Sequence, residues 1–386
     1  MPSSARSSAD EPSPAAASPA QPAPAAALPT TAFPAVALPT AALPAAAVAP
    51  GVPDTLWFTR CPVPTATGIA ADRGWLGREF APDGIAVRSL QDVPAEVAAD
   101  HHYTHALTGL FREGGNVPAL WARSRGERTR LVGLTWIEER QVVLVRSGSG
   151  VAEPGQLRGL RLAVPHHGIA IDFWRAMALA GLHGALSLAG LTPADAELVD
   201  VPAAPGEGQW EAELTALRDG VVDAVYVKGA LAVEAARRIG AEVAVDLDAV
   251  PDRRARVNNG TPRPITVRQE LLDAHPDLVA RFLAVLLEAA DWAAGQPAEV
   301  ARILGAETGA GEEGVAGAYA EGGHRTLHLD LSEDRLALLE QQERFLDRHG
   351  FLAGPVDVRA WADPEPLRAA RELLAARRAE GRTHGD

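Results

Sequence analysis

The 386-residue chain contains one cysteine, Cys61, and one lysine, Lys228. A lone thiol excludes an internal disulfide and any zinc site built on two or four cysteines. Lys and Arg total 36 against 50 Asp and Glu, a formal net charge of -14, and no basic stripe interrupts the acidic excess. Nucleic acid is therefore excluded as a partner, because affinity for a phosphate backbone comes from clustered basic residues that release counterions. No run approaches the eighteen apolar residues of a membrane span. With lysine nearly absent, an anionic substrate has to be held by arginine forks, which suit planar oxyanions, although GC-rich coding also produces an arginine bias. What is present, 47% hydrophobic and 22% charged residues, is the composition of an ordinary globular protein. The expectation is a soluble, cytoplasmic monomer with no membrane or nucleic-acid partner.

Residues 1–53 are dominated by Ala, Pro and Ser. Prolines recurring through LPTTAFPAVALPTAALPAAAVAP remove donors and clash with any preceding turn, so a disordered tail is expected. The same prolines break the apolar stretch and make it a poor secretion signal. After Asp54 apolar strand-like runs alternate with helical segments, the pattern of a largely parallel sheet covered by helices. DTLWFT reads as a first strand, GIAADRGWLGREF as the helix after it, and GIAVRSL as a second strand. TRLVGLTWI and RQVVLVR supply more strands and the crossing into a second lobe. GLRLAVPHHGIAIDFWRAMALAG reads as strand, tight loop and helix, placing His166 and His167 at a strand's carboxyl end, where open α/β sheets bind ligands. From about Asn258 the chain returns to the first lobe and becomes helical, with apolar residues three and four apart through HPDLVARFLAVLLEAADWAAG, EVARILG, EDRLALLEQQERFLDRHG and PEPLRAARELLAARR.

This describes a two-lobed α/β chain: 54–146 as the first part of lobe 1, 147–249 as lobe 2, and 250–386 as the return with C-terminal helices. A helix ending in Asp-Gly before a strand beginning Val-Val-Asp-Ala, from Leu217 to Asp223, resembles the periplasmic-binding-protein superfamily, type II, as does HPDLVARFLAVLLEAADWA. Those phrases speak for fold and are silent on function.

Chemistry is concentrated in two short segments. Cys61 stands in TRCPVP, just past the first strand, with Pro62 stiffening the loop. A lone Cys is either a small buried hydrophobe or a reactive thiol, and the second role needs a proton partner. ADHHYTHALTGLFREGGNVPAL supplies candidates: His101, His102 and His105, then Arg112 ahead of Gly114 and Gly115, whose bare backbones let N–H groups approach an oxyanion. His101 and His105 have the spacing of helical zinc ligands, but no Glu follows the first and no third ligand is evident, so no metal site is expected. Incidental histidines in a solvated loop are the plain alternative.

TRCPVP, HHYTHALTGLFREGGNVPAL and ERTRLVGLT, in that order and spacing, resemble the 2'-hydroxybiphenyl-2-sulfinate desulfinases of biodesulfurisation. LSEDRLALLEQQERFLDRHGFLAGPVDVRAWADP resembles their C-terminal helices, so the likeness runs with gaps from about Asp54 to about Leu367. The resemblance implies a cofactor-free enzyme that cleaves the aryl carbon–sulfur bond of a small arene sulfinate and releases sulfite. It further implies Cys61 as the reacting group, His102 as its hydrogen-bond partner, Arg112 as the sulfinate clamp, and the Gly114–Gly115 pair as an anion donor through the Gly115 N–H. Asn116 stands where the family has an acidic residue. Trp174 is assigned as an aromatic wall for the substrate ring, with His166 and His167 beside the substrate. Lys228, a single Lys after a strand, is expected at the surface.

Two rival readings share the fold. A non-catalytic binding protein for a sulfonate, nitrate or similar small anion would normally be exported or lipid-anchored, and Cys61, following Thr59 and Arg60, lacks a lipoprotein context. A thiamine-pyrimidine synthase would need a suicide histidine or a Schiff-base lysine, for which Lys228 is the sole candidate.

Overall fold

The computed structural model describes residues 51–59, 63–93, 101–169, 171–204, 207–319 and 322–384. The expected disordered tail and Cys61 itself lie outside these residues. Strand β1 (Thr55–Phe58) turns Leu56 and Phe58 into the core, as the alternation in TLWF dictates. The expected helix over 68–80 is two helices, Ala66–Asp72 and Trp75–Phe80, because Gly74 takes a left-handed φ of 68° between them. Thr65 caps the first, accepting the Gly68 N–H at 2.9 Å. Then come β2 (Ala86–Ser89), β3 (Leu110–Glu113) and β4 (Thr129–Thr135).

The chain crosses at residues 136–140 and builds β5 (Gln141–Val145), β6 (Arg161–His166), β7 (Glu197–Pro202), β8 (Ala224–Lys228) and β9 (Glu242–Asp246). It crosses back through 247–262 to lay β10 (Arg263–Arg268) antiparallel between β3 and β4. The sheets run β2-β1-β3-β10-β4 and β7-β6-β8-β5-β9. This is the expected two-lobed α/β architecture. β5 belongs to the second sheet, so the crossing comes a few residues earlier than the boundary drawn after residue 146; its continuous apolar run fits a core strand in either lobe.

In the first lobe the helix Pro276–Ala294 is the core of the packing. Its Phe282 stacks on Phe111 of β3, centroids 3.8 Å apart, and the helix Glu365–Ala379 lies against it. The second lobe closes over Val142–Val145, Leu162, Val164, Met177 and Tyr226. Among the described residues no helix is long and apolar enough to cross a membrane.

The second crossing is fixed from both sides. Asn258 donates from Nδ2 to the Tyr226 hydroxyl at 2.8 Å, and that hydroxyl donates to Gln141 Oε1 at 2.8 Å. On the other side Asn116 donates from Nδ2 to the carbonyls of Asn258 at 2.6 Å and Pro262 at 2.9 Å. An ionised carboxylate at position 116 would face two carbonyl oxygens with no proton to offer. The amide at position 116 is what the crossing requires.

Candidate active site

β3 is buried at all four positions and ends in Arg112 and Glu113, so two charged side chains enter the interior at the carboxyl end of a central strand. Such placement demands partners. Glu113 has them: its carboxylate accepts from Thr67 Oγ1 at 2.5 Å and from Thr135 Oγ1 at 3.0 Å. Burial nevertheless raises its pKa above the usual carboxylate range, partly offset by those hydroxyls and the charge of Arg263.

Arg112 is 1% exposed. Its Nε donates to the His102 carbonyl at 3.2 Å, its Nη1 to the Gly115 carbonyl at 3.1 Å, and its Nη2 lies 3.4 Å from His102 Nε2. The guanidinium thus ties the segment carrying His102 to the turn that follows β3. His102 is buried, and burial followed by the charge of Arg112 holds its pKa well below the ordinary histidine value. The imidazole is neutral at neutral pH. Tyr103, at the next position, is pushed up to about 12 by burial and stays protonated.

The two glycines are needed for space. A Cβ on Gly114 would fall 2.7–2.9 Å from the Arg112 guanidinium, and one on Gly115 2.3–2.6 Å from the Asn259 side chain. Gly114 N–H donates to Pro264 O at 3.3 Å and Asn116 N–H to Asn259 O at 2.7 Å. The Gly115 N–H between them has no hydrogen-bond partner among the described residues. Asn259 Oδ1 accepts from Val117 N–H at 3.0 Å, clamping the start of the helix Asn116–Ser124.

Residues 101–104 are helical, and His105 ends that turn in the left-handed region at φ 53°, its N–H donating to His101 O at 3.1 Å. Both ring nitrogens of His105 are buried without partners among the described residues, and burial and Arg112 lower its pKa well below normal. These histidines are therefore not incidental residues of a solvated loop.

In the second lobe His166 is the last residue of β6 and is exposed. The His167 ring lies 3.2 Å from Asp172, which caps the helix Phe173–Ser187 and accepts the His167 N–H at 2.8 Å. Trp174 packs edge-on against Trp210 at 5.5 Å. These three stand together at the end of β6, and none of their described contacts reaches His102 or Arg112.

Lys228 is not at the surface. It is the buried last residue of β8, paired with the equally buried Glu139 of the first crossing. A Lys after an apolar strand looks exposed because sequence does not reveal the carboxylate that meets it. A Cβ on Gly260 would lie 3.2 Å from Lys228 Nζ and 3.3 Å from Arg263 Nη2. Glu139, Asn259 and Arg263 were all invisible to sequence reasoning; the run Asn258-Asn259-Gly260 before two prolines was the signal of a built turn.

A family model described as NMT1/THI5 like matches residues 69–300, more than half of the chain. The chain belongs to the NMT1/THI5-like family. Within that setting it is 29% identical to the 2'-hydroxybiphenyl-2-sulfinate desulfinase of Rhodococcus erythropolis over 354 residues, spanning 81% of this chain and 93% of the relative. Among solved structures, the desulfurization enzyme DSZB matches with a TM-score of 0.64 at 27% identity. A cysteine-to-serine mutant of DSZB in complex with biphenyl-2-sulfinic acid matches at 0.66 and 26%. Each match covers 83% of this chain and 99% of the other. The periplasmic aliphatic sulphonate binding protein SsuA from Escherichia coli, at 16% identity, TM-score 0.62 and coverage of 81% and 92%, shares the fold.

Proposed function

We propose that this protein is a desulfinase that cleaves the aryl carbon–sulfur bond of an arene sulfinate resembling 2'-hydroxybiphenyl-2-sulfinate. Water balances the reaction: the arene sulfinate plus water gives the arene and bisulfite, the ring carbon gaining a proton and sulfur gaining oxygen. That balance makes the enzyme a hydrolase acting on carbon–sulfur bonds. The likeness to the Rhodococcus desulfinase along most of both chains carries the reading. The arrangement of His102, Arg112 and the unpartnered Gly115 N–H supports it.

Cys61 is the reacting group in this account, and His102 is its hydrogen-bond partner. A neutral His102 stabilises a thiolate less than an imidazolium would, which favours a protonated thiol. A thiol aimed at the ring carbon delivers the proton while the carbon–sulfur bonding pair stays with the ring and sulfur leaves as SO2; water adds to SO2 to give bisulfite, and the proton released restores the thiol. Arg112 and the Gly115 N–H hold the sulfinate oxygens and orient the carbon–sulfur bond toward the thiol.

The test is sulfite release from 2'-hydroxybiphenyl-2-sulfinate and simpler arene sulfinates by the purified protein. Sulfite and the desulfinated arene in equal amounts are expected. A thermal shift with aryl sulfonates but no sulfite from any sulfinate would mean that the fold binds without reacting.

A further inference from the structure

Beside the His102–Arg112 pair stands a second basic group that the proposed reaction leaves unused. Arg263 begins β10 and is 4% exposed, and its Nε and Nη1 are buried without partners among the described residues. Burying guanidinium N–H donors without acceptors is unfavourable, and an anion that reaches them removes that cost. The nearby carboxylates are engaged elsewhere. Glu139 is paired with Lys228, and Glu113 accepts from Thr67 and Thr135. Lys228 and Glu139 cancel, and Glu113 offsets part of the Arg263 charge from a distance while accepting from Thr67 and Thr135, so what Arg263 leaves open is its Nε and Nη1 donors. Tyr319, whose main chain bridges to that of Glu139, adds a buried hydroxyl without a partner among the described residues. Burial and Glu139 raise the Tyr319 pKa far above normal, so the hydroxyl keeps its proton to donate.

The position of this cluster ties it to the substrate. Gly260 packs against both Lys228 and Arg263, and the preceding Asn259 packs against Gly115. Two adjacent residues of the second crossing therefore touch the two basic centres. Arg263 comes from the first sheet and Lys228 from the second, so an anion between them is enclosed by both lobes.

We propose that Arg263, with the Lys228–Glu139 pair and the Tyr319 hydroxyl, forms a second anion subsite that receives an additional anionic group, such as a carboxylate, on an arene sulfinate held at Arg112. The inference rests on the desulfinase reading and adds to it a preference, within that substrate class, for arene sulfinates bearing a second negative charge. Arg263 is a specificity-determining residue in this account; the bond-breaking step stays with Cys61 and its neighbours.

The experiment compares benzenesulfinate with 3-carboxybenzenesulfinate in a sulfite-release assay, using the full-length wild type, Arg263→Gln and Tyr319→Phe. The wild type is expected to favour the carboxylated substrate by roughly ten- to a hundred-fold in KM, the order of one charge-assisted hydrogen-bonded contact. Arg263→Gln should raise KM for the carboxylated substrate at least about tenfold more than for benzenesulfinate, and Tyr319→Phe should weaken the preference by a smaller factor. No preference in the wild type, or an equal rise for both substrates in Arg263→Gln, overturns the proposal. Should Arg263→Gln not fold, Tyr319→Phe decides alone, and an unchanged preference in it is the contrary result. Thermal shifts with the unreactive pair benzenesulfonate and 3-sulfobenzoate separate the two readings if no sulfinate turns over. A larger shift from 3-sulfobenzoate in wild type that is absent in Arg263→Gln keeps the subsite while the reaction falls. Equal shifts, or none, remove the subsite as well.

Discussion

The Arg112 guanidinium holds His102 at two points, the main-chain carbonyl at 3.2 Å and ring Nε2 at 3.4 Å. One side chain therefore fixes the position of the imidazole and adds its charge to the burial that keeps the ring neutral. Arg112→Lys should fail at both, because a single ammonium cannot reproduce bonds to the His102 carbonyl, the His102 ring and the Gly115 carbonyl together. Two lost charge-assisted hydrogen bonds correspond to about 3–6 kcal/mol, of which the lysine recovers part. A fall in urea midpoint with at least tenfold weaker substrate binding is the expected outcome. Wild-type affinity in this variant would remove Arg112 from the site.

Gly115 and Asn259 interlock, since a Cβ on the first would sit 2.3–2.6 Å from the side chain of the second. Gly115→Ala should push Asn259 off the Val117 N–H and cost about 1–3 kcal/mol as overpacking. The double variant Gly115→Ala, Asn259→Ala should be more stable than the sum of the two single losses predicts, as expected for residues in contact. Strict additivity in a double-mutant cycle would contradict the packing.

The pH dependence of stability carries a sign that can be checked. His105 is held well below its ordinary pKa by burial and by Arg112, while the unfolded chain titrates near about 6.5. Below that value the unfolded state binds more protons, so the contribution to stability is full above about pH 6.5 and is lost as pH falls. His105→Asn keeps a residue that tolerates the left-handed backbone and removes the titration. The decline in melting temperature from about pH 6.5 to 5 should be shallower in this variant than in wild type. Parallel curves would show that His105 does not titrate in that window.

Lys228 and Glu139 form a buried pair, so deleting one charge should cost more than deleting both. Lys228→Met alone is expected to lose about 3–5 kcal/mol, and Lys228→Met with Glu139→Leu substantially less. Urea denaturation of the three proteins measures this. A double variant at least as unstable as the single one would mean the pair is favourable in its own right.

Much of the architecture was legible because its signals are local. Apolar alternation marked β1, the spacing of apolar residues marked the long helices, and a strand-turn-helix grammar placed His166 at the end of β6. β3 escaped because Leu-Phe-Arg-Glu breaks the pattern of a buried strand, and the partners that permit those charges, Thr67, Thr135 and His102, come from other segments. Spacing alone leaves His101, His102 and His105 equal; the resemblance singled out His102, whose ring lies 3.4 Å from Arg112 Nη2. Asn259, Glu139 and Arg263 reach the same region only through the second crossing and the pairing of β10, long-range contacts that no local spacing encodes.

The most direct measurement is sulfite release from 2'-hydroxybiphenyl-2-sulfinate by wild type and Cys61→Ser in parallel, with the melting temperature of each. The account predicts sulfite and the desulfinated arene from wild type, none from Cys61→Ser, and equal melting temperatures. Equal sulfite release by both proteins, or none by wild type on any arene sulfinate, would contradict it.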